Sequence, residues 1–229
     1  MDESAIPLAP TLQSGMLVEG ALKPGSTGAP RMKLTRSRKR TNMTLIAFIC
    51  DDTALQPRMP QILLGNEHTL PARGLRALQE AAPPNVYIIR QHSSWNNHVL
   101  MSRVLRLLKT ILTAQAPESQ PVLLMDAAKI HLQPSVLKTC KRHKLWPLVL
   151  PARLTWLLQP LDTHTFRKFK HCLASQWMST RIRNGSEEPS IDQFLRSVYC
   201  TVRSVLQGNK RAAAFDQNGF SSTHPYQKH

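Results

Sequence analysis

From residue 42 onward, short apolar runs of strand length alternate with longer stretches of helical periodicity, and this alternation restricts the fold more than any other feature. The segments "NMTLIAFICDD" (42 to 52) and "RMPQILLGNEH" (58 to 68) have the apolar density of buried strands, with a turn at Pro57 between them. They are expected to pair antiparallel. "RGLRALQEAAPP" reads as a short helix stopped by Pro83, and "NVYIIRQH" (85 to 92) as a third strand. Residues 96 to 115 read as a helix with an apolar stripe of Val99, Val104, Leu107, Leu108, Ile111 and Leu112. After Pro117 come a strand (121 to 128), a short helix (133 to 145), a strand (146 to 152) and one long helix from near Pro160 to about residue 183, stopped by Asn184 and Gly185. A further helix from "SIDQFLRSVYCTVRSVL" and a short "AAAFDQNGF" element follow. Strands first and alternating units afterwards predict an α/β domain, a mixed sheet flanked by helices.

Charge selects the partner class. Thirty Lys and Arg against 14 Asp and Glu give a formal net charge of +16, which suits a polyanion. Nucleic acid is the usual one, because neutralised phosphates release counterions. Residues 1 to 30 have loop composition, and "RMKLTRSRKR" (31 to 40) then forms a basic arm with Arg36, Arg38, Lys39 and Arg40. It reads equally as a DNA-contacting strand, a nuclear-import run or a solvated loop. No run approaches the roughly 18 apolar residues of a membrane span, so no membrane partner is expected. Cys50, Cys140, Cys172 and Cys200 are too scattered to fix a zinc set and read as core thiols. Trp95, Trp146, Trp156 and Trp177 read as core or interface anchors rather than base-stacking platforms.

One strand ends in a way that buried strands seldom do. "VLLM" runs directly into Asp126, and a carboxylate there must be paired, hydrated or metal-bound. Taken alone, Asp126 reads as a loop cap. Asp162, however, opens the helix after the next strand, and positions 127 to 161 hold enough chain to bring it back beside Asp126. A third carboxylate is available either in "MDES", as Asp2 or Glu3, or in "CDD", as Asp51 or Asp52. Three carboxylates suit hard Mg2+ ions, and a two-ion site can activate water and stabilise a leaving oxygen in phosphoryl transfer.

"LLMDAAKIH" followed by "LPARLTWLLQPLDTHTFRKFK" resembles the second and third catalytic blocks of DDE-superfamily transposases of the pogo-like and mariner-like kind. Pro151, Thr155, Gln159, Pro160, Leu161 and Asp162 carry the closest match; "MDES" is similar to the first block, and "AAAFDQNGF" to the terminal segment. The resemblance implies a ribonuclease-H-like fold, truncated in its first strand, with residues 1–41 a remnant of the first block plus a basic loop, 42–220 the catalytic domain and 221–229 a polar tail. It implies that Asp2, Asp126 and Asp162 hold two Mg2+ or Mn2+ ions for cleavage and strand transfer of DNA, without a small-molecule cofactor. His131 falls on the family's histidine, with contact to a phosphate or ordering of the loop as its two readings. Arg167, Lys168 and Lys170 would approach phosphates or form a solvated face. A nuclear location in a eukaryote and a homodimer are the matching expectations. Ala127 stands where the family commonly has Asn, and nothing reads as an upstream helix-turn-helix module. Ala127 and the truncated first strand motivate a second reading, a domesticated or degenerate domain that binds DNA without cutting it. Charge alone motivates a third, an RNA-binding protein.

Overall fold

The computed structural model describes residues 1–8, 42–185, 189–207 and 211–220. Strand β1 (Asp2–Pro7) pairs antiparallel with β2 (Asn42–Ala47), placing Asp2 opposite Ala47. β3 (Gln61–Gly65) runs antiparallel to β2, and β4 (Val86–Arg90) runs parallel to β3. β5 (Val122–Asp126) and β6 (Trp146–Leu150) form a separate parallel pair. The Met1 nitrogen donates to the Leu124 carbonyl at 2.8 Å, which lays the start of β1 beside the end of β5. The four-stranded sheet β1-β2-β3-β4 is mixed, as the element order predicts, and the β5-β6 pair adjoins it at the start of β1.

Alternation along the strands divides two cores between the faces of the sheet. Ile46, Ile62, Leu64, Leu123 and Met125 face α2 (His98–Gln115) and α3 (Pro134–Arg142). Leu45, Leu63, Leu124 and Leu150 face the other layer, which contains α5 (Pro160–His164), α6 (Phe166–Arg183) and α7 (Ile191–Thr201). Between β3 and β4 lies α1 (Leu75–Glu80), and α4 (Thr155–Leu158) precedes α5. The chain reaches α8 (Ala212–Gln217) after a π-helical turn at Val202–Leu206.

Four expectations change. The buried stripe of α2 is Leu100, Met101, Val104, Leu105, Leu108 and Leu112; Val99 is 52% exposed, because the helix starts at His98 behind the Asn97 cap and Val99 falls on the side away from Leu108. The long helix from Pro160 is two helices, broken at buried Thr165, whose hydroxyl turns back to the Pro160 carbonyl. Only Trp177 is a core anchor, edge-on to Phe194 at 5.6 Å; Trp95, Trp146 and Trp156 are largely exposed. Of the thiols, Cys140 alone is buried, and all four are free. The basic arm, with Arg36, Arg38, Lys39 and Arg40, lies outside the described residues.

Gly65 ends β3 with no room for a side chain. A Cβ there would lie 2.4 Å from Leu70 Cδ1 and 2.7 Å from Thr69 Oγ1, both buried. Gly65→Ala is therefore expected to cost about 1–3 kcal/mol through overpacking, read as a lowered thermal midpoint; an unchanged midpoint would show that the Leu70 side chain yields freely.

Candidate active site

The site begins with strand alternation. The Met1 to Leu124 hydrogen bond brings the start of β1 to the end of β5. Alternation along each strand puts Asp2 on the side of Ile6 and Asp126 on the side of Leu124, and both apolar residues pack in the core that includes Leu161 of α5. Glu3 projects to the opposite face. Asp162 arrives in the first turn of α5, and the residue before that helix fixes its approach: Gln159, buried, donates from Nε2 to the Met1 carbonyl at 2.8 Å. The motif thus docks the helix carrying the third acid directly on the strand carrying the first. Gln159 Oε1 is buried without a hydrogen-bond partner.

The Asp2 and Asp162 carboxyl groups lie close enough to shift each other's ionisation, and Asp162 also feels the Thr155 side chain. Such a pair needs a proton or a cation between its charges. Burial first, then the Asp162 charge, pushes the Asp2 carboxyl up to about 7. Asp162 is raised too, by its partial burial and by Asp126, against the pull of Asp2 and of the Lys170 ammonium. Asp2 is buried, Asp126 half-buried and Asp162 exposed, so the site opens to solvent on the α5 side.

Asp126 is held in a different way. Its Oδ1 lies 2.6 Å from His131 Nδ1 and accepts from the Ala128 nitrogen at 3.2 Å, and the hydrogen bond from His131 lowers its pKa below the ordinary carboxylate value. Burial, the largest single influence on His131, pulls its pKa down; the Asp126 and Glu3 carboxylates together outweigh it and push the imidazole up to about 9. His131 Nε2 stands 3.5 Å from Glu3 Oε1, without hydrogen-bond geometry. Asn96 Nδ2 in turn donates to Glu3 Oε1 at 2.6 Å. A chain from Asn96 through Glu3 and His131 therefore reaches Asp126 around the end of the sheet.

This geometry corrects one expected role. His131 is 1% exposed and cannot meet a phosphate from the surface; it orders the loop and orients Asp126. His131→Ala is expected to weaken Mn2+ binding about 10- to 100-fold, the usual effect of losing a group that orients a ligand, while leaving the salt dependence of DNA binding unchanged. A flattened salt slope would restore the phosphate role.

Arg167, Lys168 and Lys170 are exposed on the early turns of α6, and the Lys170 charge is felt at Asp162. Asp51 and Asp52 do not join the site. Both are exposed in the turn after β2, where Asp52 Oδ1 accepts from the nitrogens of Ala54 and Leu55. Sequence reasoning gave no role to Asn96 or Thr155. Thr155 belongs to the same motif as Gln159, which was its signal; Asn96, beside the cap Asn97, gave none.

Residues 42–209 match the family described as DDE superfamily endonuclease. The chain belongs to that family. In this DDE endonuclease domain the matched span holds Asp126 and Asp162 and starts after Asp2, whose place in the site rests on the geometry above. Members of the superfamily generally use divalent metal ions. Two solved structures are similar to the chain at a TM-score of 0.49: a Mos1 transposase paired-end complex with the left transposon end (15% identity, 91% of this chain and 55% of that one) and a pre-cleavage Mos1 transpososome (16% identity, 93% and 54%). The chain thus spans about half the length of the solved chains that it matches. No curated protein matches it.

The donor chemistry fits a hard divalent cation. Asp2, Asp126 and Asp162 lie near enough for their charges to shift one another, and carboxylate oxygens are the ligands such a cation prefers. Among the described residues no three His, Cys, Asp or Glu side chains stand close enough together to hold a metal ion as they are placed; Asp126 Oδ1 is engaged by His131 and Ala128.

Proposed function

We propose that this chain is a metal-dependent DNA endonuclease and strand-transfer domain. The observation that carries the reading is the approach of Asp2, Asp126 and Asp162 from β1, β5 and α5, near enough for each to feel another's charge. Asp2, Asp126 and Asp162 would hold Mg2+ or Mn2+, which supplies Lewis-acid polarisation of a phosphate and a water of lowered pKa. The chain's own groups do the rest. His131 keeps Asp126 ionised and aimed; Gln159 fixes α5 against β1; exposed Lys170, Arg167 and Lys168 receive the phosphates beside open Asp162. DNA in the nucleus of a eukaryotic cell, engaged by a pair of chains, is the setting this chemistry suits.

A second reading, DNA binding without cleavage, draws on Ala127 and the net charge of +16. One experiment separates the two. Purified protein is offered intact and nicked duplex DNA with Mg2+ or Mn2+ across a salt series; the first reading expects metal-dependent cleavage together with binding that weakens steeply with salt. Binding with no cleavage supports the second reading, and preference for RNA in competition would sink both.

A further inference from the structure

The helical turn beside Asp162 has little of its own to hold it in place. α4 is four residues long and buries none of them; Trp156 and Leu157 are 70% and 49% exposed. Yet Thr155 of α4 interacts with the Asp162 carboxyl group, so where α4 sits affects the acid. So short a helix also leaves its last carbonyls without helical partners.

Asn218, at the end of α8, supplies what α4 lacks. Its Nδ2 donates to the Leu157 carbonyl of α4, and its Oδ1 lies 2.9 Å from the Thr163 hydroxyl of α5, which is also 3.0 Å from the Gln159 carbonyl. Asn218 is itself buried, and Ala214 and Phe215 anchor α8 in the protein. One amide thus ties together the two turns on either side of Gln159 and Pro160. We infer that Asn218 is a positioning residue for Asp162: the segment after the π-helical turn reaches back 55 residues to clasp α4 to α5 and fix the third acid. The sequence "AAAFDQNGF" is then part of the site's architecture rather than a tail to the domain.

The inference rests on the proposed metal site for its purpose, and on the two hydrogen bonds for its geometry. Its test therefore uses two readouts. Hydrogen exchange follows the amides of Leu158, Gln159 and Thr163, which are hydrogen-bonded within the two turns, and titration measures Mn2+ affinity. Asn218→Ala is expected to speed exchange of these amides at least about 10-fold and to weaken Mn2+ binding about 10-fold. Val205→Ala, a substitution at a core residue outside the clasp, controls for general destabilisation and is expected to do neither beyond its effect on the whole protein. Thr163→Val removes the other arm, and in the double variant the effects should fall short of additive. Exchange in Asn218→Ala no faster than in Val205→Ala overturns the clasp, and faster exchange with unchanged Mn2+ affinity overturns its positioning role. Wild-type protein that binds no Mn2+ sinks the metal reading alone, and the exchange result then decides the clasp.

Discussion

Asp162→Asn is expected to reduce metal-dependent DNA cleavage by about three orders of magnitude while leaving the fold and the binding of DNA in place. A metal that polarises the phosphate contributes several kcal/mol at the transition state, and each 1.36 kcal/mol is about tenfold in rate. Asp162 is a cleaner choice than Asp126. It is exposed, so its loss strands no buried charge, whereas Asp126→Asn would leave the His131 imidazolium, 1% exposed, without its 2.6 Å partner. Cleavage rates on nicked duplex and Mn2+ titration are the measurements. Wild-type rates in Asp162→Asn would remove this residue from the chemistry. A wild-type protein that binds DNA and never cuts it would favour the non-cleaving reading instead.

Asp2→Asn should do the opposite to stability. In the metal-free protein the Asp2 carboxyl is pushed up to about 7 from an ordinary value of 3.8, by burial and then by Asp162. Between those two values the folded protein holds a proton that the unfolded chain has released, so stability falls as pH rises through that window. By pH 8 the whole penalty is present, on the order of 4 kcal/mol at most. Asparagine removes the charge and keeps an amide that can donate towards Asp162. The thermal midpoint of Asp2→Asn at pH 8 should therefore exceed that of wild type by several degrees, and the two should converge near pH 4. Millimolar Mg2+ should stabilise wild type and not the variant. His131 acts in the same direction at higher pH: with its pKa raised to about 9, its contribution is complete below 6.5 and is lost as pH rises through 9. A lower midpoint for Asp2→Asn at pH 8 would mean that Asp2 contributes to the fold rather than straining it, as a site kept for function would.

Much of this protein was legible in the linear chain. Strand and helix positions follow from periodicity, because a period of two or of 3.6 is written into the order of apolar residues. Asp162 read as the start of a helix, and Gln159, Pro160 and Asp162 together announced a site because they match the third catalytic block of the family the chain resembles. What periodicity cannot carry is which neighbour a face will meet. The break at Thr165 depends on a hydroxyl turning back to Pro160, and the outward Val99 depends on where the Asn97 cap starts the helix. The tryptophans read as core or interface anchors; Trp177 is in the core, and Trp95, Trp146 and Trp156 are largely exposed among the described residues.

The sequence by itself determined the element order, the basic character and two of the three acids, since all of these are local properties of residue type and spacing. The residues alone left Asp2 open beside Glu3, Asp51 and Asp52, and only the family resemblance named it; the tertiary structure brings it near Asp126 and Asp162, through the Met1 to Leu124 hydrogen bond and Gln159 on the Met1 carbonyl. It also placed His131, read either as a phosphate contact or as ordering the loop, in the interior against Asp126, and gave Asn218 its place against Leu157 and Thr163. Those assignments join residues as many as 158 positions apart, and contacts over such separations are set by packing, not by any pattern along the chain.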